Sequence, residues 1–143
     1  MDKKFVSEAE RKNIENHVRA YELFSNHDPA MFDLFDENIV EKQEPDPIVG
    51  KAALAEFNRA FWAGFSDLRV DLDCAYGAGD YTFVAGRLRG TNDGDFPMMG
   101  LSKTGKAIDI GFVEVVHWKN GKAVLSVPLM DNEEMLRQLG LSH

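Results

Sequence analysis

Near residue 66 the spacing of apolar residues changes, and that change restricts the architectures open to the chain. From Gly50 onward Leu54, Phe57, Phe61 and Phe65 recur at the interval of one helix face, with Trp62 beside them. From Leu68 the interval drops to two: Leu68, Val70, Leu72 and Cys74 alternate with Arg69, Asp71 and Asp73, the pattern of a half-buried strand. Most of the chain before the switch reads as helical. Ser7 and Glu10 form a capping box, in which a Ser oxygen takes an orphan N–H and a Glu follows three residues later. Behind it Ile14, Val18, Tyr21 and Phe24 predict a helix over 7–26. Asp28-Pro29 opens a second over 28–35, because Pro suits the first helical position. Residues 38–48 read as a short strand or loop that Pro45 and Pro47 end, and a third helix spans 50–64.

After the switch the chain reads as strands at 68–74, 81–91, 106–118 and 122–129. Asn120-Gly121 is a hairpin turn between the last two. Asp131, with Glu134 three residues on, opens a terminal helix that Gly140 stops, so Asp131 reads as a cap rather than a proton carrier. Helices followed by a meander of strands predict an α+β fold in one domain over 1–143. The longest strand is apolar on both faces: Ile108, Ile110, Phe112, Val116 and Trp118 on one, Ala107, Val113 and Val115 on the other. Helices cover one face. A second copy of the chain is the economical cover for the other, which predicts a homodimer with Val113 and Val115 at the contact.

Composition narrows the function. Sixteen basic against 24 acidic residues give a net charge of −8 with no basic stripe, which argues against nucleic acid and anionic membranes. A single cysteine, Cys74, on the apolar side of its strand predicts a packed thiol and suits a reducing compartment. The start of the chain has no apolar run, so the expected location is the cytoplasm. No His pair has metal-ligand spacing, and Asp93-Gly94-Asp95 reads as a solvated turn, so no metal is expected.

The order of elements, with GFSDLRV at 64–70, GTNDGDF at 90–96, KTGK at 103–106, NGK at 120–122 and RQLG at 137–140, resembles the SnoaL-like polyketide cyclases. The resemblance implies the nuclear-transport-factor-2-like cone: a curved antiparallel sheet packed on N-terminal helices around an apolar pocket, usually as a dimer. It implies cofactor-independent acid/base cyclisation or isomerisation of a small, largely apolar carbonyl compound. The family's acid/base Asp, late in the final strand, falls on Pro128; its His on the preceding strand falls on Glu114, and another family His on Asn92.

Glu114 is therefore the candidate catalytic group. It stands in the middle of the longest strand, on the face of Phe112 and Val116, and counting back through the turn sets it opposite 127–128. In an apolar cone its pKa is expected to rise, since burial disfavours the charged form. The alternative is a Glu paired with Arg87 or Arg89 on the neighbouring strand. Asn92 and Trp118 are candidate polar helpers, with Phe61, Phe65, Met99, Phe112, Val116 and Val127 as pocket lining. His117, on the opposite face, is placed at a rim or dimer contact. Two functions stay open: a proton-transfer enzyme acting through Glu114, or a non-catalytic binder of a small apolar or aromatic ligand that kept the cone and lost the acid/base pair.

Overall fold

Ser7 opens the first helix as its pattern requires, with its Oγ accepting the Glu10 N–H at 3.1 Å. The computed structural model describes residues 2–4 and 7–141. Helix α1 is Glu8–Ser25, and its buried face is Ile14, His17, Ala20, Leu23 and Phe24. The predicted second helix is a 3-10 segment, Pro29–Leu34, with Asp28 capping Ala30 N at 2.9 Å. The chain then becomes strand β2 (Phe35–Glu41), and after the proline-rich loop strand β3 (Ile48–Val49). Helix α2 (Lys51–Gly64) sends Leu54, Phe57, Phe61 and Trp62 into the core.

Strands β4 (Arg69–Ala78), β5 (Tyr81–Thr91), β6 (Ala107–Lys119) and β7 (Lys122–Met130) form the expected meander, closed by helix α3 (Asn132–Gln138). A further strand, β1 (Asp2–Lys4), lies beside β4, where the sequence offered no strand signal. The sheet has the order β1-β4-β5-β6-β7-β2-β3. It is mixed rather than wholly antiparallel, because β1 runs parallel to β4 and β2 parallel to β7. Only strands joined by hairpins must be antiparallel; β2 reaches β7 from the helical half of the chain.

Two local features set which side chains face inward. Asn120 and Gly121 both have positive φ (50° and 75°), as a two-residue type I′ turn requires. The hairpin it closes pairs Glu114 with Pro128 and Val116 with Ser126. On β4 a bulge falls between Leu72 and Cys74 and reverses the alternation, so Ala75 is buried and Cys74 is half-exposed rather than packed. Gly86 permits this, because a Cβ there would meet the Asp71 carbonyl oxygen at 2.3 Å. Along β6 every second residue from Ile108 to Trp118 is buried, and this inner face packs on α1 and α2.

Candidate functional site

Between the inner face of the sheet, α1, α2 and β2 lies a pocket with about 830 Å³ of space between its walls, part of it open solvent at the mouth. Most of its wall is hydrocarbon and aromatic, from Phe24, Met31, Phe35, Leu54, Phe57 and Phe61. Its polar groups gather where α1 crosses β6 and β7. Glu114, 8% exposed, is the hub. Its Oε1 accepts from His17 Nε2 at 2.7 Å and from the Tyr21 hydroxyl at 2.7 Å. Its Oε2 accepts from Ser126 Oγ at 2.6 Å.

Helical and strand geometry explain this convergence. His17 and Tyr21 are four residues apart, so one face of α1 presents both. Ser126 is two residues from Pro128, the partner of Glu114, and so shares its side of the hairpin. Behind His17, Thr82 Oγ lies 2.7 Å from Nδ1 and 2.7 Å from the Trp118 indole nitrogen. Indole N–H only donates. Thr82 thus accepts from Trp118 and also hydrogen-bonds His17 Nδ1, which fixes the ring so that its Nε2 faces the carboxylate of Glu114.

These contacts reverse the expected titration of Glu114. Burial is the largest single influence and pushes the carboxyl up. The hydrogen bond and electrostatic pull of His17, with the hydrogen bonds of Ser126 and Tyr21, together outweigh it and hold the group below its ordinary value. Tyr21 moves the other way: burial first, then the charge and hydrogen-bond demand of Glu114, hold it well above the usual phenol range. A second carboxyl, Glu41 at the end of β2, lines the same pocket. Burial and then the negative charge of Glu114 raise it to about 7, against smaller lowering by Gln43 and Ser126.

The pairing of Glu114 with Arg87 or Arg89 does not occur. Arg87 bonds Asp109 at 2.7 Å, and Arg89 bonds Asp71 at 2.5 Å, on the outer face. Phe61, Phe112, Val116 and Trp118 line the pocket beside Glu114. Asn92, Phe65, Met99 and Val127 do not. Asn92 is fully buried in a loop anchor: its Nδ2 donates to the Gly64 and Gly94 carbonyls, and its Oδ1 accepts from Thr104 N and Oγ. Phe65 lies past the end of α2, packed on Phe61 within the core. Met99 sits in the short 3-10 turn Pro97–Met99, half-buried against the core. Val127 points to the outer face opposite Val115, because its strand neighbours Ser126 and Pro128 take the inner one. His117 is on that outer face too, stacked on Tyr81 with ring centroids 4.4 Å apart.

Sequence reasoning passed over His17, Tyr21 as a polar group, Ser126 and Glu41. The signal for His17 was present: it interrupts an otherwise apolar helix face, between Ile14 and Ala20. Glu41 had no such signal, since it precedes an exposed, proline-rich loop. Among the described residues no cluster of His, Cys, Asp and Glu has the makings of a metal site, and no helix is long and apolar enough to cross a membrane.

The same architecture occurs in solved structures. A protein from Jannaschia sp. CCS1 inferred to be a SnoaL-like polyketide cyclase superposes with a TM-score of 0.87 at 19% identity, covering 98% of this chain and 99% of that one. A polyketide cyclase, also so inferred, from Bacillus cereus ATCC 10987 gives 0.81 at 19% identity, over 99% of this chain and 92% of that one. AclR from Streptomyces galilaeus, inferred to be a hydroxylase, gives 0.81 at 18% identity over 94% and 88% of the two chains. At these identities the likeness establishes the cone fold and leaves the reaction open. No curated protein matches the chain. The family model described as SnoaL-like polyketide cyclase matches residues 15–139, so the chain belongs to the SnoaL-like polyketide cyclase family.

Proposed function

We propose that this protein carries out cofactor-independent proton transfer on a small, largely apolar carbonyl compound, the step on which an aldol cyclisation or an isomerisation depends. The observation that carries the reading is a carboxylate, Glu114, set in a mostly hydrocarbon pocket and oriented by His17, Tyr21 and Ser126. A ligand's rings would replace water along the aromatic wall, while its carbonyl end would meet the polar groups. Exclusion of water strengthens each electrostatic contact at that end. The family's usual aspartate position is Pro128, which itself lines the pocket, so Glu114 takes the place of base from the neighbouring strand. The outer sheet face supports work as a homodimer: Leu129, Val49, Tyr81 and Phe83 are exposed on or beside it.

A second reading, a binding protein without turnover, is favoured by the same hydrogen bonds. They satisfy both oxygens of Glu114 and hold its proton affinity down, which weakens it as a base. Deuterium uptake at the α-carbon of 2-tetralone, a two-ring ketone, separates the two. The enzyme reading expects uptake faster than in buffer, reduced tenfold or more by Glu114→Gln. Saturable binding of 2-tetralone with uptake no faster than buffer would hand the site to the binding reading.

A further inference from the structure

We propose that Glu41 carries the pocket's transferable proton, shared through the Ser126 hydroxyl with Glu114, and delivers it to the oxygen of a bound carbonyl compound. Its ligand class rests on the proton-transfer reading above; its shared proton does not. The hydrogens available decide where that proton sits. Ser126 Oγ lies 2.6 Å from Glu114 Oε2 and 3.2 Å from Glu41 Oε1, and a hydroxyl has one hydrogen to give. Two ionised carboxylates on one hydroxyl would leave one contact without a hydrogen and two like charges close together. One carboxyl must therefore hold a proton. The shorter contact is to Glu114, which also takes hydrogen bonds from His17 and Tyr21 and is thereby held as the anion. Among the described residues Glu41 has only Gln43 as a further donor, at 2.8 Å to its other oxygen. The proton belongs on Glu41, donated to Ser126, which donates to Glu114.

The backbone fixes this arrangement. Glu41 and Ser126 are direct partners between β2 and β7, and Lys42 N bonds the Ser126 carbonyl at 2.9 Å. Among the described residues, the polar and titratable groups that act on Glu41 are Glu114 from β6, Ser126 from β7, Tyr21 from α1 and Gln43 from its own segment. None of them is a cation. Burial and then the Glu114 charge put Glu41 near 7 while Glu114 falls, and two carboxyls driven apart in one pocket divide the roles of acid and base.

The cycle balances without a cofactor. Glu114 takes a proton from the carbon beside the carbonyl. The electron pair of that C–H bond becomes the new C=C bond, and the C=O π pair forms a bond to the proton leaving Glu41. Glu114 is then protonated and Glu41 ionised. Ser126 restores both, passing its hydrogen to Glu41 and taking the one on Glu114. The product is the enol, ready to attack a second carbonyl or to be reprotonated elsewhere.

Titration of protein labelled with 13C at the glutamate carboxyl tests the shared proton directly, with Glu41→Gln assigning the signal. Expected is one carboxyl with a midpoint near 7 that moves down by at least one pH unit in Glu114→Gln. In parallel, deuterium uptake by 2-tetralone is expected to slow as the pH rises through about 7 and to fall tenfold or more in Glu41→Gln. A Glu41 midpoint among ordinary carboxyls, or one unmoved in Glu114→Gln, overturns the proposal, as does a Glu41→Gln protein exchanging at the wild-type rate. Wild-type protein no faster than buffer would remove the carbonyl reading alone; the shared proton then stands on a midpoint near 7 and falls on an ordinary one.

Discussion

Two carboxyls face one pocket here and hold their protons with opposite strength, which has a consequence for stability. Glu41 is lifted from its ordinary 4.5 to about 7, so between those values the folded chain keeps a proton that the unfolded chain has lost. More protons bound when folded means that stability falls as the pH rises across this window. At about 1.4 kcal/mol for each pH unit crossed, the loss approaches about 3 kcal/mol. Glu114 contributes in the opposite sense, with stability present above its ordinary value and lost as acid carries the pH through its lowered one. Chemical denaturation at pH 5 and pH 8 is therefore expected to show a gap that shrinks by up to about 3 kcal/mol in Glu41→Gln. An unchanged gap would mean that Glu41 titrates normally. At this scale the sequence was only half legible. Glu114 could be placed by strand parity and by its distance from the Asn120-Gly121 turn. Its partners could not, because His17 and Tyr21 are 97 and 93 residues away along the chain, and their meeting depends on how α1 crosses the sheet.

Elements were more legible where local chemistry decides them. Ser7, Asp28 and Asp131 each cap the segment that follows, and the Asp131 carboxylate accepts Glu134 N at 3.1 Å. Asp131→Ala is expected to lower stability by about 0.5–2 kcal/mol with ligand affinity unchanged, since the residue is exposed and outside the pocket. Altered affinity at unchanged melting temperature would contradict the cap. Asn92 belongs with these structural residues, not with the pocket. Asn92→Ala strands the Gly94 carbonyl and the Thr104 N–H and removes one of the two donors to the Gly64 carbonyl, and is expected to cost roughly 2–4 kcal/mol in denaturant unfolding. The folded fraction should still bind ligand as wild type does. Legibility failed where one element is decided by another. The bulge after Leu72 depends on Gly86 in the next strand, so simple alternation sent Cys74 to the wrong face. Strand β2 pairs with β7 across some 85 residues, and its first residue, Phe35, had read as the end of a helix.

On the scale of the molecule, the helices among the described residues pack on the inner side of the sheet. The other carries Val113, Val115, Val127 and Leu129 as neighbours across β6 and β7, with Leu129 64% exposed. An apolar face of this kind in a chain with a net charge of −8 fits a second copy pressing the same face against it. Light scattering at micromolar concentration is expected to give twice the chain mass of 16.1 kDa, and Leu129→Asp to return it to the single value. A wild-type mass of 16.1 kDa would refute the dimer. Function turns on which end of the pocket a carbonyl compound addresses. A crystal structure of the complex with 2-naphthol, the flat aromatic counterpart of the enol of 2-tetralone, tests this most directly. The prediction is that the rings lie among Phe24, Phe57 and Phe61, with the hydroxyl within hydrogen-bond distance of Glu41 or Glu114. Naphthol bound with its hydroxyl turned to the mouth, or outside this pocket, would contradict it.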